Sequence, residues 1–222
     1  MAAAVGSSES ELRQIARQLC GGEGNGSNAV AFLGTFDKRF PGFISRHSRS
    51  VAIVNTAGRE TGGQHWLAFA WEPTTHTVTL FEPFGFSDGG LWQTYRFEYE
   101  GLLKRSAIAQ SPGDRCVNLV KSDYSVQGPD SAACGLFCCL FIAAFRADPQ
   151  HPLGDSNPVF GPIRGVPNSR LRDPASLPRL RQNQEYLYDF LARHSPYFRQ
   201  NRTRICEATA FDKLAHLPAA PS

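Results

Sequence analysis

The stretch HWLAFAWEPTTHTVTLFEPF, residues 65–84, reads as two β-strands joined by a short turn. His65–Trp71 and Thr77–Phe84 are rich in aromatic and apolar residues, and only five residues separate them, so a hairpin is expected. In an antiparallel hairpin the start of one strand lies beside the end of the next, which makes His65 and Glu82 neighbours. A carboxylate beside an imidazole fixes its tautomer and stabilises its charged form. A lone histidine at a strand edge more often has a plain structural role, so His65 needs further partners.

Upstream, Ser50–Thr56 (SVAIVNT) is a β-branched run that adds a strand, and FLGTFDKRFPGFI (32–44) reads as an ordered loop against the core. GGEGNGSN (21–28) is a flexible connector. Ser8 and Glu11 have the spacing of a capping box, and Leu12, Ile15, Ala16 and Leu19 follow at helical spacing, which predicts a helix over 9–19. Downstream, residues 92–110 read as one helix and Ala132–Arg146, apolar on nearly every side, as a buried helix. Residues 148–178 read as loop, and Arg179–Arg193 as a final amphipathic helix resting on Leu180, Tyr186, Leu187, Phe190 and Leu191. Helix, strands, then helices give an α+β fold with a sheet packed against helices. Residues 1–31 form an N-terminal helix and connector, and 32–222 a single main domain.

The 222 residues, 41% hydrophobic and 11% aromatic, are enough to bury a substantial core. The longest uncharged run, around Ala132–Phe145, is shorter than the roughly 20 apolar residues a membrane helix needs. The N-terminus has neither a basic segment nor an apolar one of the secretory type, so a reducing, intracellular setting is expected. Net charge is +3, but residues 161–222 carry ten Lys/Arg against five Asp/Glu, and 19 of all 23 basic residues are arginine. A solvated basic face is the plain reading of that excess, and a phosphate-binding face the sharper one.

Three of the six cysteines, Cys134, Cys138 and Cys139, crowd into QGPDSAACGLFCCLF (127–141). Zinc would need a second ligand pair, which the chain lacks, so no metal is expected. Adjacent helical cysteines cannot meet disulfide geometry. Cys138 and Cys139 fit buried positions inside the apolar helix. Cys134 differs, because it follows the turn signal Gly128-Pro129-Asp130-Ser131 and falls in the first turn of the helix. There the helix dipole and the unused backbone N–H groups favour a thiolate and can hold an oxyanion. His65 is the best base among the histidines, with Glu82 to orient it and Trp66 to shield its ring. Gln127, seven residues before Cys134, can turn its amide back toward the thiol as a second oxyanion donor. These residues outline an acyl-transfer site.

GRETGGQHWLAFAW (58–71), LFEPFGFSD (80–88), DRCVNL (114–119) and SVQGPDSAACGLFCC (125–139) closely resemble the adenovirus endopeptidase family of cysteine proteases. The resemblance runs from about Phe32 through GVPNS (165–169) and HSPYFR (194–199). It implies a protease domain over 32–222, with a papain-like active site on a permuted chain order (His, Glu, Gln, then Cys) and a mixed β-sheet against helices. On this chain it assigns the catalytic residues His65, Glu82 and Cys134 and the oxyanion donors Gln127 and the Cys134 N–H.

It also implies cleavage of viral capsid and core precursor proteins after glycine, late in infection, by a monomer found in the virion and the host nucleus. Two cofactors are implied, viral DNA bound non-specifically and a short basic peptide cut from a capsid precursor. The peptide would be disulfide-linked to Cys116. No membrane is expected as a partner. Residues 1–31 and the tail after Arg202 depart from the family pattern, and ATAFDKL lacks a cysteine expected near Phe211. The rival readings are a ubiquitin-like-protein isopeptidase, which usually carries Asp at the place of Glu82, and a non-catalytic DNA-binding virion protein.

Overall fold

A computed structural model describes residues 5–21, 29–43, 48–58, 60, 64–110 and 116–216, with backbone alone at 108–110. Its centre is a five-stranded mixed sheet in the order β1 (Ala31–Phe36), β2 (Ser50–Asn55), β3 (Trp66–Glu72), β4 (Thr77–Phe81), β5 (Asn118–Lys121). The β2–β3 and β3–β4 pairs are antiparallel, while the outer pairs β1–β2 and β4–β5 are parallel. A two-stranded patch, β6 (Tyr124–Ser125) with β7 (Val166–Pro167), lies apart from it.

Both faces of the sheet are covered, so β2 is buried at every position and reads as a continuous apolar run rather than an alternating one. Val51, Ile53, Ala68, Ala70 and Phe81 face a helical layer made of α1 (Glu9–Cys20), α4 (Cys134–Ala147) and α5 (Leu177–His194). The opposite set, Ala52, Val54, Leu67, Phe69, Val78 and Leu80, packs on Phe40, Phe43 and on Leu91 of α2 (Asp88–Tyr95) and Leu102 of α3 (Glu100–Gln110). Two short helices, α6 (Pro196–Gln200) and α7 (Arg202–Ala208), end the layer.

The expected α+β fold is the observed one, and so is the hairpin of β3 and β4. The capping box of α1 is formed in both directions between Ser8 and Glu11. Four readings change. The stretch 32–44 is not all loop, because Ala31–Phe36 pairs with β2 as an edge strand. Residues 92–110 hold two helices rather than one, since Arg96 takes a left-handed conformation (φ 52°) that stops α2. The strand β5 falls where no strand was expected, and α5 is followed by α6 and α7 rather than being last. The connector expected at 21–28 lies, apart from Gly21, outside the described residues.

Candidate active site

The register of the hairpin positions the first two residues. Ala68 pairs with Phe81, so continuing the ladder sets His65 opposite Phe84 and diagonal to Glu82 on the same face. The carbonyl of His65 accepts from the Thr56 N–H at 2.9 Å, which fixes its backbone against the end of β2. Beyond β4 the chain turns sharply at Gly85. That residue takes φ 64°, and a Cβ there would lie 2.5 Å from the backbone of Tyr124, so only glycine fits. The turn brings two backbone amides onto the Glu82 carboxylate: Phe84 N–H donates to Oε1 at 2.9 Å and Phe86 N–H to Oε2 at 2.6 Å. Ser122 Oγ accepts from the Glu82 N–H at 2.7 Å, tying the residue to the end of β5.

His65 Nε2 lies 2.6 Å from Glu82 Oε1, and both side chains are almost entirely removed from water. The imidazole is stacked between Phe84 (ring centres 5.1 Å apart) and Tyr95 (4.9 Å). These two rings do the shielding expected of Trp66, which instead packs partly buried against the core and lines the cleft. Cys134 stands in the same cleft, close enough to act on the His65 ring. Burial opposes a charge on the ring, but Cys134 and Glu82 beside it favour the charged ring, which donates to the carboxylate, and the His65 pKa rises to about 9. The ring therefore keeps its proton at neutral pH.

Cys134 is the first residue of α4, half-buried, and Ala133 before it provides no side-chain cap. The first-turn N–H groups of α4 therefore stay uncapped by any side chain. Within the turn before α4, Ser131 Oγ accepts the Ala133 N–H at 3.2 Å and so fixes the residue before the thiol. Gln127 is buried in the wall of the same cleft, and its Nε2 donates to the Ser131 carbonyl at 2.6 Å. Its backbone N–H reaches the Pro83 carbonyl at 3.3 Å, which joins the Gln127 loop to the Glu82 turn. His65, Gln127 and Cys134 line one open cleft of about 1210 Å³, with Glu82 behind His65.

Cys138 and Cys139 take the buried positions expected of them. Their thiols are directed at the carbonyls of Trp66 and Leu12, and burial raises the pKa of both. Burial likewise pushes Cys20 up to about 12. Cys116 is exposed, two residues before β5, and does not line the cleft. Among the described residues no group of three or more His, Cys, Asp or Glu is arranged to hold a metal ion.

The model of the adenovirus endoprotease family matches residues 32–213, and the protease of human adenovirus D serotype 9 is 58% identical over 96% of this chain and 97% of its own. The chain belongs to the adenovirus endoprotease family. Other adenovirus proteases match as fully, that of bovine adenovirus 2 at 55% over 96% of this chain and that of equine adenovirus B serotype 2 at 50% over 95%. The chain is thus a viral protease of this family. The family model begins at Phe32, at the boundary expected for the main domain. Within residues 1–31, α1 buries Leu12, Ile15 and Leu19 in the main core.

Two features of this adenovirus endoprotease-family site were not found in the sequence. Phe84 was within reach, since period-two alternation puts it on the face of Glu82. Tyr95 gave no signal, because a loop and a helix start separate it from the hairpin it covers.

Proposed function

We propose that the chain is a cysteine endopeptidase that cuts viral capsid and core precursor proteins after glycine during virion maturation. The observation that carries this reading is the buried His65 ring, held by the Glu82 carboxylate at 2.6 Å, with Cys134 beside it in the same cleft. With Nε2 committed to Glu82, the second ring nitrogen is left for the thiol. With the proton of the pair already on His65, the Cys134 thiolate attacks the carbonyl carbon after glycine. The new C–S bond forms as the C=O π pair moves to oxygen. The Cys134 N–H and the second amide N–H of Gln127 donate to that oxyanion. Collapse breaks the C–N bond, and the departing amine takes the proton from His65. Water, deprotonated by His65, then attacks the thioester and releases the acid and the thiol.

Two activators are part of the proposal. A short basic peptide is joined to Cys116 by a disulfide, with two electrons and two protons passing to an oxidant such as a small disulfide or oxygen. Its docking is supported by the exposure of Cys116 and by the neighbouring edge strand β5, where Leu119 and Val120 are 40% and 45% exposed. An edge strand with apolar side chains in water is a template for an added strand. DNA contact is supported by the arginines of residues 161–216, all of them exposed. The protein acts as a monomer in the virion and the infected nucleus. No described helix is long and apolar enough to cross a membrane.

The test is turnover of a glycine-containing fluorogenic peptide, with and without DNA and the basic peptide, beside Cys134→Ala. Loss of turnover with DNA binding intact is the expected result. Turnover surviving in Cys134→Ala would remove Cys134 from the chemistry. Release of a ubiquitin-like conjugate without cleavage of viral precursors would favour the isopeptidase reading.

A further inference from the structure

Gln127 is buried, yet the hydrogen bonding of its side chain is sparse. Nε2 donates to the Ser131 carbonyl at 2.6 Å, while Oε1 has no hydrogen-bond partner among the described residues. The amide is thus held by one bond, and its second N–H points where Ser131 allows. Ser131 also sets the other donor, because its Oγ accepts the N–H of Ala133, the residue directly before Cys134. Both oxyanion donors are therefore placed by one serine.

That serine is held from outside the loop. Its hydroxyl donates to Gln184 Oε1 at 2.6 Å, across 53 residues of sequence. Gln184 sits on α5, only 3% exposed, and its Nε2 donates to Tyr188 Oη at 2.7 Å and to the Thr209 carbonyl at 2.9 Å. Every hydrogen-bonding atom of the Gln184 side chain is used. Its neighbour Asn183 donates to the Val126 carbonyl at 3.0 Å, so adjacent residues of α5 grip both ends of the loop that carries Gln127.

We infer that Gln184 is a positioning residue for the oxyanion hole, acting through Ser131 on Gln127 and on the start of α4. The inference rests on the thiol-protease reading above. It separates two parts of the site: Gln184 reaches the oxyanion donors and makes no contact with the His65–Glu82 pair. Losing it should weaken transition-state stabilisation and leave the thiol as reactive as before. Misplacing preorganised donors by a fraction of an ångström up to about 1 Å costs roughly 10- to 100-fold in rate.

The experiment compares Gln184→Met, which keeps the length and loses the hydrogen bonds, with the unaltered chain in the glycine-peptide assay with DNA and basic peptide present. A parallel measurement follows alkylation of Cys134 by iodoacetamide, read by peptide mass mapping, since displacement at a saturated carbon builds no oxyanion. The expected result is kcat lower by roughly 10- to 100-fold, KM within about threefold, and Cys134 alkylation within about twofold of the unaltered chain. Ser131→Ala, which removes the other half of the bond, is read against the same criteria and stands in if Gln184→Met does not fold. The double variant should lose little more than the worse single one. Unchanged kcat in Gln184→Met, alkylation falling as far as kcat, or two losses that multiply would each overturn the positioning role. Absence of turnover by the unaltered chain would instead overturn the thiol-protease reading itself.

Discussion

Replacing Glu82 by glutamine exchanges one carboxylate oxygen for NH₂ at nearly constant shape. The carboxylate accepts three bonds: His65 Nε2 and Phe84 N–H at Oε1, and Phe86 N–H at Oε2. An amide offers one oxygen. With that oxygen toward His65, its NH₂ faces the Phe86 N–H; with the oxygen toward Phe86, it faces both the Phe84 N–H and the imidazole. Either choice leaves at least one buried N–H unsatisfied, at about 1–3 kcal/mol. The second choice also forces the ring to accept at Nε2, so the nitrogen facing Cys134 carries a proton it cannot exchange for that of the thiol. In both cases the negative charge that helps hold the His65 proton is gone.

The sign follows from the pKa of about 9 in the unaltered protein. A raised histidine pKa means the charged ring persists below it, so activity needing an imidazolium is lost as pH rises through about 9. Without the Glu82 charge the ring releases its proton more readily, and the alkaline limb moves to lower pH. Each unit of movement corresponds to about 1.4 kcal/mol. Together with the wrong tautomer this predicts a loss of roughly 10²- to 10⁴-fold in kcat/KM at pH 7.5, on the scale seen when a comparable orienting carboxylate becomes an amide. The assay is the pH–rate profile of both proteins on the fluorogenic peptide, with circular dichroism as a check of folding. A folded variant whose alkaline limb stays in place, with kcat/KM within about threefold, would show that Glu82 does not control the His65 proton.

Three further outcomes are expected. Cys138→Ala should leave turnover intact but lower the thermal midpoint by roughly 2–4 °C, from about 1 kcal/mol of lost packing, as read by calorimetry. Gly85→Ala forces a Cβ to within 2.5 Å of the Tyr124 backbone at φ 64°, so both thermal stability and turnover should fall, with the Glu82 turn displaced. Cys116→Ser should abolish the covalent adduct with the basic peptide on a non-reducing gel while leaving peptide-independent turnover unchanged.

The hairpin was legible because its two strands are long, apolar and separated by a short turn, and that pairing alone brings His65 to Glu82. Cys134 was legible because a turn signal placed it at a helix start, whereas Cys138 and Cys139 stand one turn further in. Other parts lacked such local marks. Gly34 and a shift of register interrupt β1, which has none of the β-branched run that marks β2. The four residues of β5 are too few to show a period, and they are a strand because β4 offers a parallel edge. Arg96 ends α2 in a left-handed conformation that its residue type does not announce. Gln184 reads as an ordinary polar position on an amphipathic helix until the fold brings Ser131 to it.

The most direct test of Cys134 as the nucleophile is covalent labelling with a peptide that ends in a glycine-derived electrophile, followed by mass mapping of all six cysteines. A single adduct on Cys134 is expected, formed in proportion to the loss of turnover and absent from a folded His65→Ala variant at neutral pH. Label confined to Cys116 or Cys206, or turnover persisting after Cys134 is fully modified, would contradict it.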